Sequence, residues 1–229
     1  MMTPRKVLIA TPSLDGRVEA EYAVALAETV RLGVQRGIGI HPLIVCRESL
    51  LPNVRNDLMS AVRKFDMSDI IWIDSDQEWN PEWVFRLLSH PVDVVGAPVI
   101  KRSEQEAYNV RSIGGSPQIP VDPATGLLVI DAVGTGFLRM SRKAVDALWD
   151  ASVPYTVSGR ENEPLRWIFD VRPVDGLLIS EDTLVCFKLR DLGFKIYLDP
   201  TMTCSHIGPK KWSGDFAKWL QGLQMQTAA

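Results

Sequence analysis

Cysteine is scarce and scattered in this chain: Cys46, Cys186 and Cys204 are an odd number with no Cys-x-x-Cys pair. That argues against a disulfide framework and a thiolate zinc site, and fits a reducing compartment. Long apolar runs are missing too, since no stretch approaches the roughly eighteen uninterrupted residues of a membrane span. The N-terminal MMTPRKVLIATPSLDG carries two basic residues but only a four-residue apolar run before Thr11, too short for a secretory leader. Charge of one sign is also lacking, with 25 Lys and Arg against 28 Asp and Glu for a net of −3. The surface as a whole is therefore no polyanion trap, and any nucleic-acid contact has to be local. There is no internal repeat and no low-complexity tract. These absences predict a soluble, cytoplasmic protein.

What is present is a full core's worth of apolar material, 46% of 229 residues, and the length fits one compact domain over residues 1–229. Short β-rich runs alternate with helical patterns: KVLIATP (6–12), a helix over 19–37, HPLIVC (41–46), a helix over about 50–65, and DIIWID (69–74). That alternation predicts an α/β fold with a mixed, mostly parallel central sheet flanked by helices, and ligands at the carboxyl ends of its strands. A short helix over 81–90 leads to the apolar run VDVVGAPVI (92–100), expected as one strand. Residues 101–126 are charged and rich in Gly and Pro, hence long loops or an edge hairpin. Order returns with LLVIDAVGTGFLRM (127–140), a helix from Ser141 to Asp150, a helix over about 181–192 and the strand KIYLDP (195–200).

The stretch IIWIDSDQEW (70–79) runs a buried strand into two carboxylates one residue apart. If strand geometry persists that far, Asp74 and Asp76 project the same way with Ser75 turned aside. Two carboxylates so placed repel, unless a hard divalent cation sits between them and a phosphate-bearing ligand; carboxylate oxygens suit Mg²⁺ or Mn²⁺. An isolated Asp-x-Asp is more often a solvated strand end, so spacing alone does not decide.

Other segments carry candidate chemistry. Gly134, Thr135 and Gly136 offer little bulk, which suits either close approach of a sugar to the backbone or a bend in a strand. Ser180 reads as an N-cap, which places Glu181 and Asp182 in a first helical turn where the macrodipole favours anions. His206 in TCSHIG, taken by itself, reads as a hydrogen-bonded loop histidine. Lys210 and Lys211 precede an amphipathic pattern of Trp212, Phe216, Trp219, Leu220 and Leu223, which predicts a C-terminal helix docked on the core.

Taken together, TPSLDG, VRND, IDSDQEW, GTGFLRMSRKAVDAL, SEDTLVCFKLRDLGFKIYLDP and CSHIG stand in the order and approximate spacing of GT-A fold glycosyltransferases. The chain resembles the compact, single-domain glycosyltransferases of bacteriophage genomes over about residues 5 to 208. The resemblance implies a GT-A, Rossmann-like domain that divides into a nucleotide-sugar half (about 1–100), an acceptor-side half (about 101–208) and a C-terminal loop and helix (about 209–229). It implies a metal-dependent hexosyl- or pentosyltransferase using a UDP- or GDP-sugar, with Asp74, Asp76 and His206 as ligands to Mn²⁺ or Mg²⁺. Thr11, Pro12 and Ser13 fall where this fold lodges the base and ribose, and Arg55 and Asn56 match an Arg-Asn pair directed at the nucleotide. Ser75, Gly134, Thr135 and Gly136 belong to the same donor site, and Lys210 and Lys211 reach the diphosphate. Asp182 is the first candidate base, with Glu181 its alternate.

Two acceptor classes follow from a phage-like origin. One is a hydroxymethylated base in phage DNA, which requires base flipping and phosphate contacts from Lys101, Arg102, Lys210 and Lys211. The other is a saccharide, lipid or protein of a cell surface. Two rival readings are a nucleotidyltransferase on a related fold, against which stands the lack of a Gly-rich basic loop after the first strand, and a non-catalytic carbohydrate-binding module, against which stand scattered tryptophans.

Overall fold

The computed structural model describes residues 5–46, 50–116 and 118–227; the first four residues of the N-terminal segment read above lie outside these. Seven strands form one sheet. In sheet order they are β2 (Gly39–Val45), β1 (Lys6–Pro12), β3 (Asp69–Ile73), then Phe137–Ser141, Val94–Gly96, Ile196–Leu198 and Leu128–Ile130. The first three pair in parallel, Phe137–Ser141 runs antiparallel to both its neighbours, and Val94–Gly96 pairs in parallel with Ile196–Leu198. Leu128–Ile130 closes the sheet antiparallel. Five strands thus share one direction, as the alternating pattern predicts. This is the α/β architecture of a Rossmann-like GT-A domain.

Alternation along each strand sends side chains to opposite faces, and two apolar layers result. Val7, Ile9, Ile71 and Ile73 face helices α1 (Ala20–Arg36) and α3 (Glu82–Ser89), whereas Leu8, Ala10, Ile70 and Trp72 face α2 (Leu51–Lys64), α4 (Arg142–Ala151), α5 (Glu181–Asp191) and α6 (Phe216–Thr227). The amphipathic C-terminal pattern does form a helix, docked through buried Phe216 and Leu220. Among the described residues no helix is long and apolar enough to cross a membrane.

Two expectations need correction. The run 92–100 is a strand only at Val94–Gly96. The ordered run 127–140 is three short strands, with Gly134–Gly136 interrupting the ladder before Phe137–Ser141. The strand β3 ends at Ile73, so Asp74 to Asp76 form a turn and strand alternation does not reach them. A further three-stranded sheet, Gln77–Glu78, Ser205–Ile207 and Lys211–Trp212, had no sequence signal, since its strands are two or three residues long and the pairing of Gln77–Glu78 with Ser205–Ile207 spans more than a hundred residues.

Candidate functional site

Because β1 and β3 are adjacent and parallel, their carboxyl ends open at one edge of the sheet. A cleft of about 320 Å³ lies there. Pro12, Ser13 and Leu14 after β1 form one wall, Leu51, Val54 and Arg55 of α2 a second, and Asp74, Ser75, Asp76 and His206 the floor. The turn after β3 is tied down by its backbone: the Glu19 N–H donates to the Ser75 carbonyl at 3.0 Å, and the Gln77 N–H to the Asp74 carbonyl at 3.2 Å.

The two aspartates take different partners. Arg55 Nη2 donates to Asp74 Oδ1 at 3.1 Å. Asp76 Oδ2 accepts from Arg102 Nη2 at 2.6 Å and stands 3.3 Å from His206 Nε2. Burial of Asp76 opposes its ionisation, but His206 and Arg102 together hold its carboxyl below the ordinary value. His206 is delivered by the small sheet, in which it pairs with Gln77, while the Ile207 N–H donates to the Asp76 carbonyl at 2.8 Å. Backbone register therefore brings a residue 130 positions away beside Asp76.

The donor chemistry here fits a hard divalent cation. His206 Nδ1 lies 3.0 Å from the Ile100 carbonyl, an acceptor, so that nitrogen carries the proton. Nε2 faces Asp76 Oδ2 at 3.3 Å, the contact that helps hold that carboxyl low, and a cation there would take both atoms as ligands, with the carbonyl fixing the ring orientation as it does for metal-bound histidines. The third expected ligand, Asp74, is turned to Arg55, and among the described residues no three His, Cys, Asp or Glu side chains stand close enough to form a finished metal cluster.

Arg55 links this floor to the acid pair. Only 3% of its side chain is exposed, and its guanidinium lies between Asp74 and Glu181, with Nε 3.4 Å from Glu181 Oε1. It rests over the rings of Trp72 and Phe169, with Nε and Nη1 lacking hydrogen-bond partners. Glu181 is itself largely buried, and that burial pushes its carboxyl above the ordinary range; Arg55 opposes the shift, and Asp182 and Asp74 add to it. Asp182 accepts from the Thr183 N–H at 2.7 Å, from Asn109 Nδ2 at 3.3 Å and from the Ser180 hydroxyl. Ser180 has the extended backbone of an N-cap, yet its hydroxyl donates to the Asp182 carboxylate instead of accepting from the helix.

The glycines serve close approach within the protein. A Cβ on Gly134 would fall 2.0 Å from Asn109 Nδ2, so the missing side chain makes room for the amide that reaches Asp182. A Cβ on Gly136 would lie 3.2 Å from Asp74 Oδ2, so this glycine backs the carboxylate. Thr135 between them is buried. Asn109 was not foreseen; it sits in a loop with no motif to mark it.

Several expected donor contacts are placed elsewhere. Asn56 is fully buried and accepts from the N–H groups of Ile168 and Phe169 while donating to the Phe169 carbonyl, so its amide is committed to that backbone and does not line the cleft. Thr11 is also fully buried and shares a hydrogen bond with the Tyr22 hydroxyl; Pro12 and Ser13 reach the cleft and Thr11 does not. Lys210 pairs with Glu104 at 3.1 Å and Lys211 with Glu78, away from the cleft floor. Arg102, read from sequence as a phosphate contact for DNA, lies on Asp76 instead.

Comparison with solved structures supports the fold. A197 from STIV superposes with a TM-score of 0.55 at 15% identity, over 89% of this chain and 86% of that one. A glycosyltransferase involved in the glycosylation of the major capsid of PBCV-1 matches at a TM-score of 0.34 and 15% identity, over 69% and 73%. The inositol-1-phosphate CTP transferase from T. maritima matches at 0.46 and 10%, over 96% of each chain. Only the first superposes closely enough to bear on architecture, and it is similar in fold alone. No protein-family model and no curated protein matches the sequence.

Proposed function

We propose that this chain is a glycosyltransferase that takes a nucleotide diphosphate sugar into the cleft at the ends of β1 and β3 and passes the sugar to an acceptor hydroxyl. The observation that carries the reading is the facing pair of His206 Nε2 and Asp76 Oδ2, 3.3 Å apart beside Asp74. Leu14, Leu51 and Val54 offer an apolar wall to a base, and Pro12 and Ser13 border the ribose position. Asp76, His206 and Asp74 would hold Mn²⁺ or Mg²⁺, which when bound offsets the charge that develops on a departing diphosphate.

On the acceptor side, Glu181 takes the hydroxyl proton. Its raised carboxyl is better matched to proton abstraction near neutrality than an ordinary glutamate, which reverses the order of the two candidates read from sequence. Asp182, held by Asn109 and the Thr183 N–H, orients the acceptor. Residues of about 1–100 supply the donor side, about 101–208 the acceptor side, and about 209–229 the closing loop and helix. The acceptor is a saccharide, lipid or protein hydroxyl of a surface component. Lys210 and Lys211 pair with Glu104 and Glu78, which weakens the case for duplex DNA.

The test is a thermal-shift panel of nucleoside diphosphates and UDP- and GDP-sugars with Mn²⁺, Mg²⁺ or chelator, on the wild type and on Asp74→Asn/Asp76→Asn. At a hundredfold excess over Kd a true donor adds about 2.7 kcal/mol, or roughly 5–10 °C. A metal-dependent rise with one nucleotide, lost in the double variant, supports the reading; a flat panel with metal present refutes it. A gel shift of duplex DNA at low salt would restore the DNA acceptor.

A further inference from the structure

Arg102 is held in a seat shaped for it. Its Nη2 donates at once to Asp76 Oδ2 and to the Ile207 carbonyl, and a Cβ on Gly208 would fall 3.3 Å from its Cζ and Nε, so the glycine lets the guanidinium lie close along the backbone. The loop that carries it is anchored on both sides. The Lys101 N–H donates to the Ala107 carbonyl at 2.8 Å, Glu104 pairs with Lys210, and Tyr108 packs against Phe216 and Trp219. Yet 39% of the Arg102 side chain remains exposed, on a long stem with room to swing.

The oxygen it holds is the one that faces His206. A guanidinium 2.6 Å from Asp76 Oδ2 and a divalent cation bound between that oxygen and His206 Nε2 would be two positive charges on one acceptor. They compete for it. A released guanidinium, still tethered at the rim of the cleft, is suited to a planar, bidentate grip on phosphate oxygens.

We propose that Arg102 is an exchangeable internal counter-ion: it neutralises Asp76 in the free protein, yields that carboxylate to a divalent cation, and then pairs with the diphosphate of the incoming donor. This deepens the proposed function and rests on its reading of the cleft as a cation and diphosphate site. Arg102 so acts first as a positioning residue for Asp76 and then as a ligand for the leaving group.

The experiment compares wild type, Arg102→Gln and Arg102→Lys. Calorimetry measures Mn²⁺ alone, then inorganic pyrophosphate at saturating Mn²⁺, with thermal melts to show that each variant is folded. Arg102→Gln is expected to bind Mn²⁺ about tenfold more tightly, the worth of one charge-assisted hydrogen bond no longer competing, and pyrophosphate about tenfold more weakly. Arg102→Lys, which keeps the charge without the fork, falls between. A tighter metal site is a change that structural damage does not produce. Unchanged or weaker Mn²⁺ binding in Arg102→Gln overturns the exchange, and unchanged pyrophosphate affinity overturns the hand-over. If pyrophosphate fails to bind even the wild type, the diphosphate reading of the cleft falls, while the Mn²⁺ comparison still decides whether Arg102 and the cation compete.

Discussion

Replacing Asp69 by Asn should be among the most damaging isosteric changes in this protein. Asp69 opens β3 and is almost fully buried, with Arg5 Nε and Nη2 donating to its two oxygens at 2.7 and 2.9 Å and Arg139 Nε donating at 2.7 Å. Asparagine presents an N–H where these guanidinium groups need an acceptor. Asparagine keeps one acceptor oxygen but no charge, so the Arg139 guanidinium, whose side chain is only 6% exposed, would have only neutral partners, that oxygen and the Val92 and His90 carbonyls. Stranding one buried charge costs about 3–5 kcal/mol. Arg5 is about a third exposed and adds little, roughly 0–1 kcal/mol, so the expected loss is about 3–4 kcal/mol. With a urea m-value of about 2–3 kcal/mol/M the midpoint moves down by roughly 1–2 M. Burial alone would raise the Asp69 carboxyl, but the two arginines more than offset it and hold it below the ordinary value. A depressed folded-state value contributes stability that is present above the unfolded pKa and lost as pH falls through the folded one. The gap between wild type and Asp69→Asn should therefore be full at neutral pH and narrow below about pH 4. Equilibrium urea unfolding at a series of pH values measures both. A loss under about 1 kcal/mol, or a gap that widens in acid, would refute the reasoning.

Two further outcomes bear on the site. Glu181→Gln should lower the transfer rate by about a hundredfold or more with little change in KM; the wild-type rate should climb with pH through a pKa above the ordinary glutamate value, as burial of Glu181 requires, and that limb should vanish in the variant. A variant that keeps the full limb would return the base role to Asp182. Gly134→Ala should cost about 1–3 kcal/mol by overpacking against Asn109, and Asn109→Ala in the same chain should recover most of it. A thermodynamic cycle on the two positions showing simple additivity would contradict the contact.

Much of the scaffold was readable because its signals are local. The β1 and β3 segments are short continuous apolar runs and α1 carries a period-3.6 pattern, signals that need no partner to be recognised, and the polar turn after β3 drew attention to the cleft floor. What escaped were relations between distant segments. Asn56 looks like any helical amide in sequence, and only the backbone of Ile168 and Phe169, more than a hundred residues on, reveals that it is a structural clamp. Arg102 lies in a charged stretch whose composition suggests a solvated loop, whereas its partner Asp76 is 26 positions earlier. The Gly-Thr-Gly run was read either as room for a sugar or as a bend in a strand, and its two glycines lie against Asn109 and Asp74. Short strands such as Gln77–Glu78 are too brief to carry a period at all.

The small sheet that joins Gln77–Glu78 to Ser205–Ile207 has a bearing on how such a cleft could be altered. Because His206 and the Asp76 backbone are laced into one ladder, their separation is a property of the main chain and travels with it as a unit. The walls are different: Leu14 and Leu51 belong to segments outside that ladder. Ligand choice and ion spacing thus reside in separable parts of the molecule. On the proposed function, variation in the loop after β1 or at the start of α2 would retune which base is admitted while the backbone spacing of His206 and Asp76 stays as the ladder sets it.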